Sequence, residues 1–129
     1  MNLINEKLLF DRFPKLFKDL IYGIGCNDGW YDLVYNMCEN IQKISDSKKI
    51  DCSIIQIKQK FGILRVYTNT NTNTNTNDNE IENIIRKFES LSKNICEICG
   101  NSGMLSFSKL KWCKTLCDVH VEELNYLKE

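Results

Sequence analysis

Four potential metal ligands lie in two close pairs near the end of the sequence. Cys96-x2-Cys99 is the first pair, and Cys117-x2-His120 follows after residues 100–116. Zinc binds thiolate and imidazole ligands in a tetrahedron, and a two-residue spacer lets both side chains of a pair reach one ion. The spacing predicts one zinc ion bound by all four side chains. Because four protein ligands leave no open position for water, this zinc is expected to be structural rather than catalytic.

Cysteines at such spacing have other uses, namely a disulfide, buried free thiols or a CxxC redox site. A Cys-x2-His pair at the start of a helix is typical of none of these. Cys113 lies four residues before Cys117 and is an alternative zinc ligand. Its neighbour Trp112 indicates a strand, so we interpret Cys113 as a spare thiol.

The residues between and after the two pairs predict a hairpin followed by a helix. Turn-forming residues at 101–103 precede a short apolar stretch over 104–112 that suits a β-hairpin. Leu116, Val119, Leu124 and Leu127 then recur at roughly helical spacing, with acidic residues near the predicted start of the helix. A knuckle, a hairpin and a ligand-bearing helix in this order predict a treble-clef-like zinc finger.

Apolar spacing also predicts helices in the first half of the chain. Residues 3–20 fit an amphipathic pattern that Pro14 interrupts, so we expect two short helices there. Asp28 is placed to cap the following helix, and Trp30 to lie in the core. A glycine loop before a helix can also bind phosphate, but Asp28 already supplies negative charge at this point. We interpret Asp28, Gly29 and Trp30 as a structural motif.

The pattern changes to alternation over residues 52–68, which predicts a β-hairpin. Lys58, Lys60 and Arg65 are unopposed by any acid between Asp51 and Asp78, which indicates either a basic face or a solvated strand edge. The Asn/Thr repeat at 68–77 has no apolar residue to bury and predicts a low-complexity loop. Helical spacing returns at 78–94. The expected fold class is α+β, with a helix and β-hairpin body at 1–94 and a zinc finger at 95–129.

Charge balance and cysteine content indicate which binding partners and which cellular compartment to expect. The 17 basic and 17 acidic residues balance to a formal charge of zero, so any electrostatic recognition must be local. The seven cysteines are an odd number, and the sequence has no apolar leader and no long apolar span. We therefore expect an intracellular, cytoplasmic protein with no membrane partner.

Several sequence blocks together resemble a protein family. They are LFDRFPKLF, NDGWYDLVYNMC, KQKFGILRVY, ICEICG and KTLCDVH, and their order is similar to that in a group of small zinc-finger proteins encoded by bacteriophages, prophages and other large DNA viruses. The resemblance covers most of the chain and supplies no activity. Asn27 stands where the family usually has glycine, and the Asn/Thr repeat replaces a short loop. The matching positions are Asp28, Gly29, Trp30, Lys60, Phe61, Gly62, Leu64, Arg65, Cys96, Cys99, Cys117 and His120.

A mixture of lysines and aromatic residues predicts a ligand-binding surface in the finger. It consists of Phe107, Lys109, Lys111, Trp112 and Lys114, and no acid occurs between Glu97 and Asp118. Lysines neutralise phosphates and aromatic rings stack on bases, so this mixture suits single strands or nucleotides. The alternative is a solvated lysine face with Trp112 packed inside the finger.

These observations favour a noncatalytic zinc-binding module, of a viral accessory type, that binds nucleic acid or a nucleotide-like ligand. One alternative is a protein-interaction adaptor directed at a host protein. The other is a treble-clef nuclease or phosphodiesterase, but the chain's only histidine is His120, which leaves Asp28, Asp32 or Glu39 as general bases. We expect the predicted basic residues to share one surface if the ligand is nucleic acid, and to scatter if it is a protein.

Overall fold

The computed structural model of the chain describes residues 1–71 and 80–129. Its helices and its two small antiparallel sheets confirm the α+β fold class. We call residues 1–71 and 80–94 the body, and residues 95–129 the C-terminal module. None of the described helices is both long enough and apolar enough to cross a bilayer. The elements in chain order are α1 (Leu3–Arg12), α2 (Tyr31–Lys48), β1 (Asp51–Lys60), β2 (Ile63–Asn71), α3 (Glu80–Ser92), β3 (Met104–Phe107), β4 (Cys113–Leu116), α4 (Asp118–Glu123) and β5 (Leu127–Lys128).

The body contains one antiparallel hairpin, formed by β1 and β2. Lys60 pairs with Ile63, so Phe61 and Gly62 form a two-residue turn. Both turn residues have positive φ, 55° and 81°, as in the turns whose twist matches that of paired strands. Glycine adopts this conformation freely, whereas phenylalanine is an uncommon residue there. The side chain of Phe61 is 69% exposed at the tip of the hairpin.

The hairpin and the helices enclose a single apolar core in the body. A short 3-10 helix, Asp28–Trp30, leads into α2 and places Trp30 in this core with no exposed surface. The indole Nε1 of Trp30 donates a hydrogen bond to the carbonyl oxygen of Ile95 at 2.9 Å, so its polar atom is satisfied despite burial. Other large side chains buried in the core include Leu9, Phe13, Leu16, Met37, Ile41, Ile54, Ile57 and Leu64.

The prediction of a second helix after Pro14 is wrong. Residues 14–19 form turns, and the carbonyl oxygen of Leu16 accepts a hydrogen bond from the backbone N–H of Ile54 in β1. The segment therefore satisfies part of its backbone through the sheet rather than through a helix.

The Asn/Thr repeat begins as a strand and not as a loop. Residues 68–71 continue β2 because they pair in register with residues 51–54 of β1. The remainder of the predicted loop, residues 72–77, lies outside the described residues.

The C-terminal helix is also shorter than the apolar spacing predicts. It ends at Glu123, and Leu127 lies in β5, paired with Phe107 of β3. The chain thus returns to the sheet of the C-terminal module, which has the strand order β4-β3-β5.

Hydrogen bonds join the body to the C-terminal module at the hairpin tip and at the start of α2. The backbone N–H of Gly29 donates to the carbonyl oxygen of Glu97 at 2.8 Å, and Thr115 Oγ1 donates to the carbonyl oxygen of Gly62 at 2.8 Å. A Cβ at Gly29 would lie 2.4 Å from the carbonyl oxygens of Cys96 and Glu97. Only glycine permits this close approach of the two backbones.

Asp28 does not cap the helix that follows it, which corrects the sequence-based prediction. Its Oδ1 accepts hydrogen bonds from the backbone N–H of Asn2 at 2.9 Å and from Asn5 Nδ2 at 3.0 Å. These donors belong to the start of α1. Asp28 therefore connects α1 to the segment before α2, a structural role that depends on residues far away in sequence.

The same contacts predict a pH-dependent contribution of Asp28 to stability. The hydrogen bond from the Asn2 backbone, together with that from the Asn5 side chain, holds the pKa of Asp28 below its usual value. A lowered folded-state pKa stabilises the fold above the unfolded-state pKa, about 3.9, and this contribution disappears as pH falls through the folded-state pKa. We expect Asp28→Asn to be less stable than the wild type in urea at pH 7. The difference should shrink below about pH 4, and a difference that is unchanged at acidic pH would contradict this role.

Candidate metal centre

The structure brings Cys96, Cys99, Cys117 and His120 together into one group. One potential ligand atom from each residue lies within 4.8 Å of all the others. The first pair lies in the knuckle that begins the C-terminal module, and the second pair lies at the start of α4. Cys96 and Cys117 are buried, His120 is half-buried and Cys99 is exposed, so the group is closed on the side that faces the protein.

Of three distances between potential ligand atoms, two lie in the range for a tetrahedral zinc ion, and the third, from His120 Nδ1 to Cys117 Sγ, is shorter. Cys99 Sγ lies 3.7 Å from Cys117 Sγ, and His120 Nδ1 lies 3.6 Å from Cys96 Sγ and 3.2 Å from Cys117 Sγ. Ligands on tetrahedral zinc, with Zn–S near 2.3 Å and Zn–N near 2.0–2.1 Å, are separated by about 3.5–3.8 Å. The donor set is Cys₃His, and Nδ1 is the imidazole atom directed at the sulfurs.

The knuckle that carries the first pair is held by its own backbone. The N–H of Gly100 donates to the carbonyl oxygen of Cys96 at 2.9 Å, and the N–H of Cys96 donates to the carbonyl oxygen of Asn101 at 2.7 Å. Gly100 has φ of 83°, a conformation that favours glycine. This tight turn directs the side chains of Cys96 and Cys99 to the same point.

The environment of Cys117 favours the thiolate, which is the form that binds metal. Hydrogen bonding from the His120 backbone is the main cause that lowers the pKa of Cys117, to about 6. Cys99 differs, because desolvation raises its pKa. Burial likewise raises the pKa of Cys26 to about 12 and that of Cys52 to about 11, which keeps these two core thiols protonated.

Cys113 lies outside the group of four. It pairs with Phe107 across β3 and β4, and its thiol faces the carbonyl oxygen of Lys111 at 3.8 Å. It is half-buried and lies in β4, in agreement with the strand predicted from its neighbour Trp112.

Glu97 is the residue at this centre that sequence reasoning missed. It lies between the first two cysteines and is only 1% exposed. Its Oε2 accepts from the backbone N–H of Asn27 at 3.2 Å, and its Oε1 accepts from Gln59 Nε2 at 3.3 Å. Lys114 Nζ lies 3.6 Å from Oε1. A buried carboxylate is stable only when it is paired and hydrogen-bonded, so Glu97 connects the cysteine knuckle to both the body and β4.

The predicted basic residues divide into separate groups. Lys58 and Arg65 are directly paired across the hairpin, and Lys60 lies two residues along the same face. Gln59 points to the other face, where its Nε2 donates to the carbonyl oxygen of Cys113 at 2.9 Å. The C-terminal module therefore contacts the opposite face, and the six basic residues do not form one continuous surface. By the expectation stated above, this separation favours a protein partner over a ligand that contacts all six residues.

Within the C-terminal module, the predicted ligand-binding residues also separate. Lys109, Lys111 and Trp112 are exposed in the loop between β3 and β4. Lys114 instead turns toward the buried Glu97, and Phe107 is a half-buried residue of β3. Phe107 and Lys114 therefore differ in environment from the exposed loop, and their part in a ligand-binding surface stays a prediction.

Comparison of the chain with protein-family models, curated proteins and solved structures gives no match. The resemblance to viral zinc-finger proteins accordingly stays a prediction.

Proposed function

We propose that the chain is a noncatalytic zinc-binding module whose treble-clef-like C-terminal part presents the loop Lys109–Trp112 to single-stranded nucleic acid. Zinc is the metal that suits a closed Cys₃His set, and its task here is structural. The six basic residues do not form one surface, so the proposal rests on this loop alone, and the observation that supports it most directly is the exposure of Trp112. Its side chain is 68% exposed beside two exposed lysines, although an indole without a ligand is normally largely buried.

The loop is held in one conformation by hydrogen bonds to Ser108. The N–H of Ser108 donates to the carbonyl oxygen of Trp112 at 2.9 Å, and the N–H of Lys111 donates to the carbonyl oxygen of Ser108 at 2.9 Å. Ser108 Oγ accepts from the backbone N–H of Trp112 at 3.0 Å. Lys111 adopts a φ of 63° to close this turn. A preorganised loop loses little conformational entropy when it binds.

The charge of the loop suits a phosphate backbone. Lys109 and Lys111 flank Leu110, and no acidic residue occurs in the sequence from 98 to 117. The nearest acid before them in sequence, Glu97, is buried and faces Lys114, so it does not neutralise the loop. Lysines that contact phosphates and an indole that stacks on a base are the two components of sequence-tolerant single-strand binding.

Two side chains suited to acid-base chemistry are used elsewhere, which supports a noncatalytic role. His120, the only histidine in the chain, points Nδ1 at the sulfurs of the Cys/His group. Asp28 accepts hydrogen bonds from Asn2 and Asn5 at the start of α1. Neither is placed to act as a base beside the loop.

Replacing Trp112 gives the first test of the proposed ligand. Loss of one stacked base costs about 1–3 kcal/mol, so Trp112→Ala should weaken binding to a labelled single-stranded oligonucleotide between about 5-fold and 160-fold. Fluorescence anisotropy would measure the affinity. Tyr22→Ala is the matched control, because Tyr22 is a 69% exposed aromatic residue of the body. Equal affinity of the wild type and Trp112→Ala would reject the loop as a stacking site.

Charge reversal in the loop gives an independent test through salt dependence. For single strands, log K falls with log salt by about 0.7 per phosphate contact. Lys109→Glu/Lys111→Glu should therefore reduce this slope by about 1.4 if each lysine contacts one phosphate. Lys43→Glu/Lys87→Glu, on α2 and α3, changes the net charge equally and should leave the slope nearly unchanged. An identical slope in both double variants would count against the proposal.

The outer side of α1 favours a protein-interaction adaptor as a second candidate function. Leu3, Ile4 and Leu8 are 82%, 74% and 51% exposed, and neighbouring exposed apolar side chains are typical of protein contacts. A protein partner captured through α1 would be lost in Ile4→Asp/Leu8→Asp and retained in Trp112→Ala. The reverse pattern would assign that partner to the loop.

A further inference from the structure

We propose that the exposed face of the β1–β2 hairpin is a second segment of the same single-strand site, reached by a strand that passes over the hairpin tip at Phe61. This inference rests on the proposed function and extends it. It assigns a role to Lys58, Lys60 and Arg65 and makes the ligand a flexible strand rather than a duplex.

The register of the hairpin places the basic residues and an aromatic ring on one face. Lys58 lies opposite Arg65, and Tyr67 lies two residues further along β2, opposite Gln56. Side chains two residues apart on a strand share a face, so Lys60 belongs to it as well. Lys60 is exposed and Tyr67 is 43% exposed. The face thus combines cations and an accessible ring, as the loop at Lys109–Trp112 does.

Among the residues that the structure describes, the cations on this face are only partly compensated. Like charges directly opposite each other on paired strands are destabilising, and the Lys58–Arg65 pair has this arrangement. Arg65 Nη1 is 4.0 Å from Glu89 Oε1, and Lys58 Nζ lies 5.6 Å from the Tyr67 ring centroid. The face itself, residues 56, 58, 60, 63, 65 and 67, contains no carboxylate. A chain of phosphates would offset the remaining repulsion.

Protection of an exposed strand edge does not explain these lysines. The outer edge of β1 is already covered, since Gly25 N donates to the carbonyl oxygen of Ile57 and Gln59 N donates to that of Gly25, each at 2.9 Å. On β2, the N–H of Leu64 donates to Ser92 Oγ at 3.0 Å. Both edges of the hairpin are therefore satisfied beside the Lys58–Arg65 pair, and charge is not needed there to prevent mispairing.

The hairpin tip connects this face to the loop Lys109–Trp112. A Cβ on Gly62 would lie 3.4 Å from the carbonyl carbon of Cys113, so these two residues are in contact. Phe61 precedes Gly62, and Trp112 precedes Cys113, which places their Cα atoms at most about 14 Å apart. The two side chains are 69% and 68% exposed. They are two stacking surfaces at the junction between the basic face and the basic loop.

The placement of the two segments favours a single strand over a duplex. The C-terminal module contacts the Gln59 side of the hairpin, whereas Lys58 and Arg65 lie on the other side, so a ligand must bend over the tip to reach both. Duplex DNA is stiff, with a persistence length of about 50 nm. A single strand bends readily and exposes its bases to Phe61 and Trp112.

A length series of single-stranded oligonucleotides tests this inference with the full chain. A strand of about 4 nucleotides should occupy the loop alone, whereas a strand of about 16 should span both segments. Lys58→Ala/Arg65→Ala should lower the salt slope by about 1.4 for the long strand, at about 0.7 per contact, and leave that for the short strand unchanged. Lys60→Ala should lower the salt slope for the long strand by about 0.7. Because Lys60 is exposed, this variant tests the same face even if the double variant does not fold.

The outcomes separate this inference from the proposed function. If the wild type binds strands of neither length, both fail. If Trp112→Ala weakens binding but the hairpin variants match the control Lys43→Glu/Lys87→Glu for the long strand, the loop site stands and the second segment is rejected. A duplex of about 16 base pairs that binds as tightly as the single strand would also overturn the inference.

Discussion

Removal of the proposed zinc ion by a chelator is expected to unfold the C-terminal module. Structural zinc contributes an apparent 10–16 kcal/mol in isolated finger peptides at neutral pH, about as much as or more than the whole stability of a typical small domain. The buried apolar residues of the module, Cys96, Leu116 and Cys117, form only a small cluster. Hydrogen-exchange mass spectrometry should show fast exchange at residues 95–129 after chelation, with slower exchange retained in α2 and β1.

Single-residue controls distinguish zinc loss from a general effect of the chelator. Cys96→Ser should reproduce the rapid exchange without chelator, because it removes one ligand of four. Cys113→Ser should behave as the wild type, since Cys113 lies outside the group. Protection of β3 and β4 that survives both chelation and Cys96→Ser would show that the module folds without metal.

Glu97→Ala is expected to cost about 3 kcal/mol of unfolding free energy, because removing one partner of a buried polar group leaves the others unsatisfied. The Asn27 N–H would lose its acceptor, and Lys114 would lose its counter-charge. Gln59 Nε2 would keep its bond to the carbonyl oxygen of Cys113, and Gln59 Oε1 would still accept from the N–H of Gly62. Urea denaturation at neutral pH, with zinc in excess, would measure the change.

Two matched variants show whether this cost comes from the buried network. Glu97→Gln retains the shape and an acceptor for Asn27, so it should cost less than Glu97→Ala. Glu122→Ala removes an exposed carboxylate from α4 and should change stability by no more than about 0.5 kcal/mol. If Glu97→Ala were as mild as Glu122→Ala, the network would not join the body to the C-terminal module.

Features set by local sequence were predictable. The Cys/His spacing identified the four residues that come together, because a two-residue spacer determines local convergence. The alternation around Phe61-Gly62 identified the hairpin, since such a turn closes two strands directly. The apolar spacing of residues 81–91 likewise identified α3, whose Ile81, Ile85 and Phe88 are buried in the core of the body, whereas Leu91 is 41% exposed.

Features set by distant contacts were not predictable in the same way. The local sequence around Glu97 does not indicate that this residue is buried, because its partners Asn27 and Gln59 are far away in sequence. Aspartate is a residue type that often caps helices, yet the carboxylate of Asp28 accepts hydrogen bonds from donors at the start of α1 instead. Residues 68–71 have no apolar residue to bury, and they become strand through pairing with β1. Leu127 fits a helical spacing, but pairing with β3 places it in a strand.

The different environments of the predicted basic residues also depend on tertiary contacts. Sequence shows that Lys111 and Lys114 lie in one acid-free stretch, whereas their exposure depends on which way β4 faces. Lys114 turns to Glu97, and Lys111 remains in solvent. The acid-free stretch of lysines therefore identified some exposed basic residues but not all, because strand alternation directs neighbouring side chains to different environments.

X-ray absorption spectroscopy at the zinc edge of the purified, zinc-loaded chain tests the metal centre most directly, because it identifies the ligands without depending on stability. The account predicts one zinc per chain with three sulfurs at about 2.3 Å and one nitrogen at about 2.0–2.1 Å, and no water-derived oxygen. That result would establish a closed site of three thiolates and one imidazole, the donors that Cys96, Cys99, Cys117 and His120 supply. A first shell with an oxygen in place of one of these ligands, or fewer than three sulfurs, would contradict it.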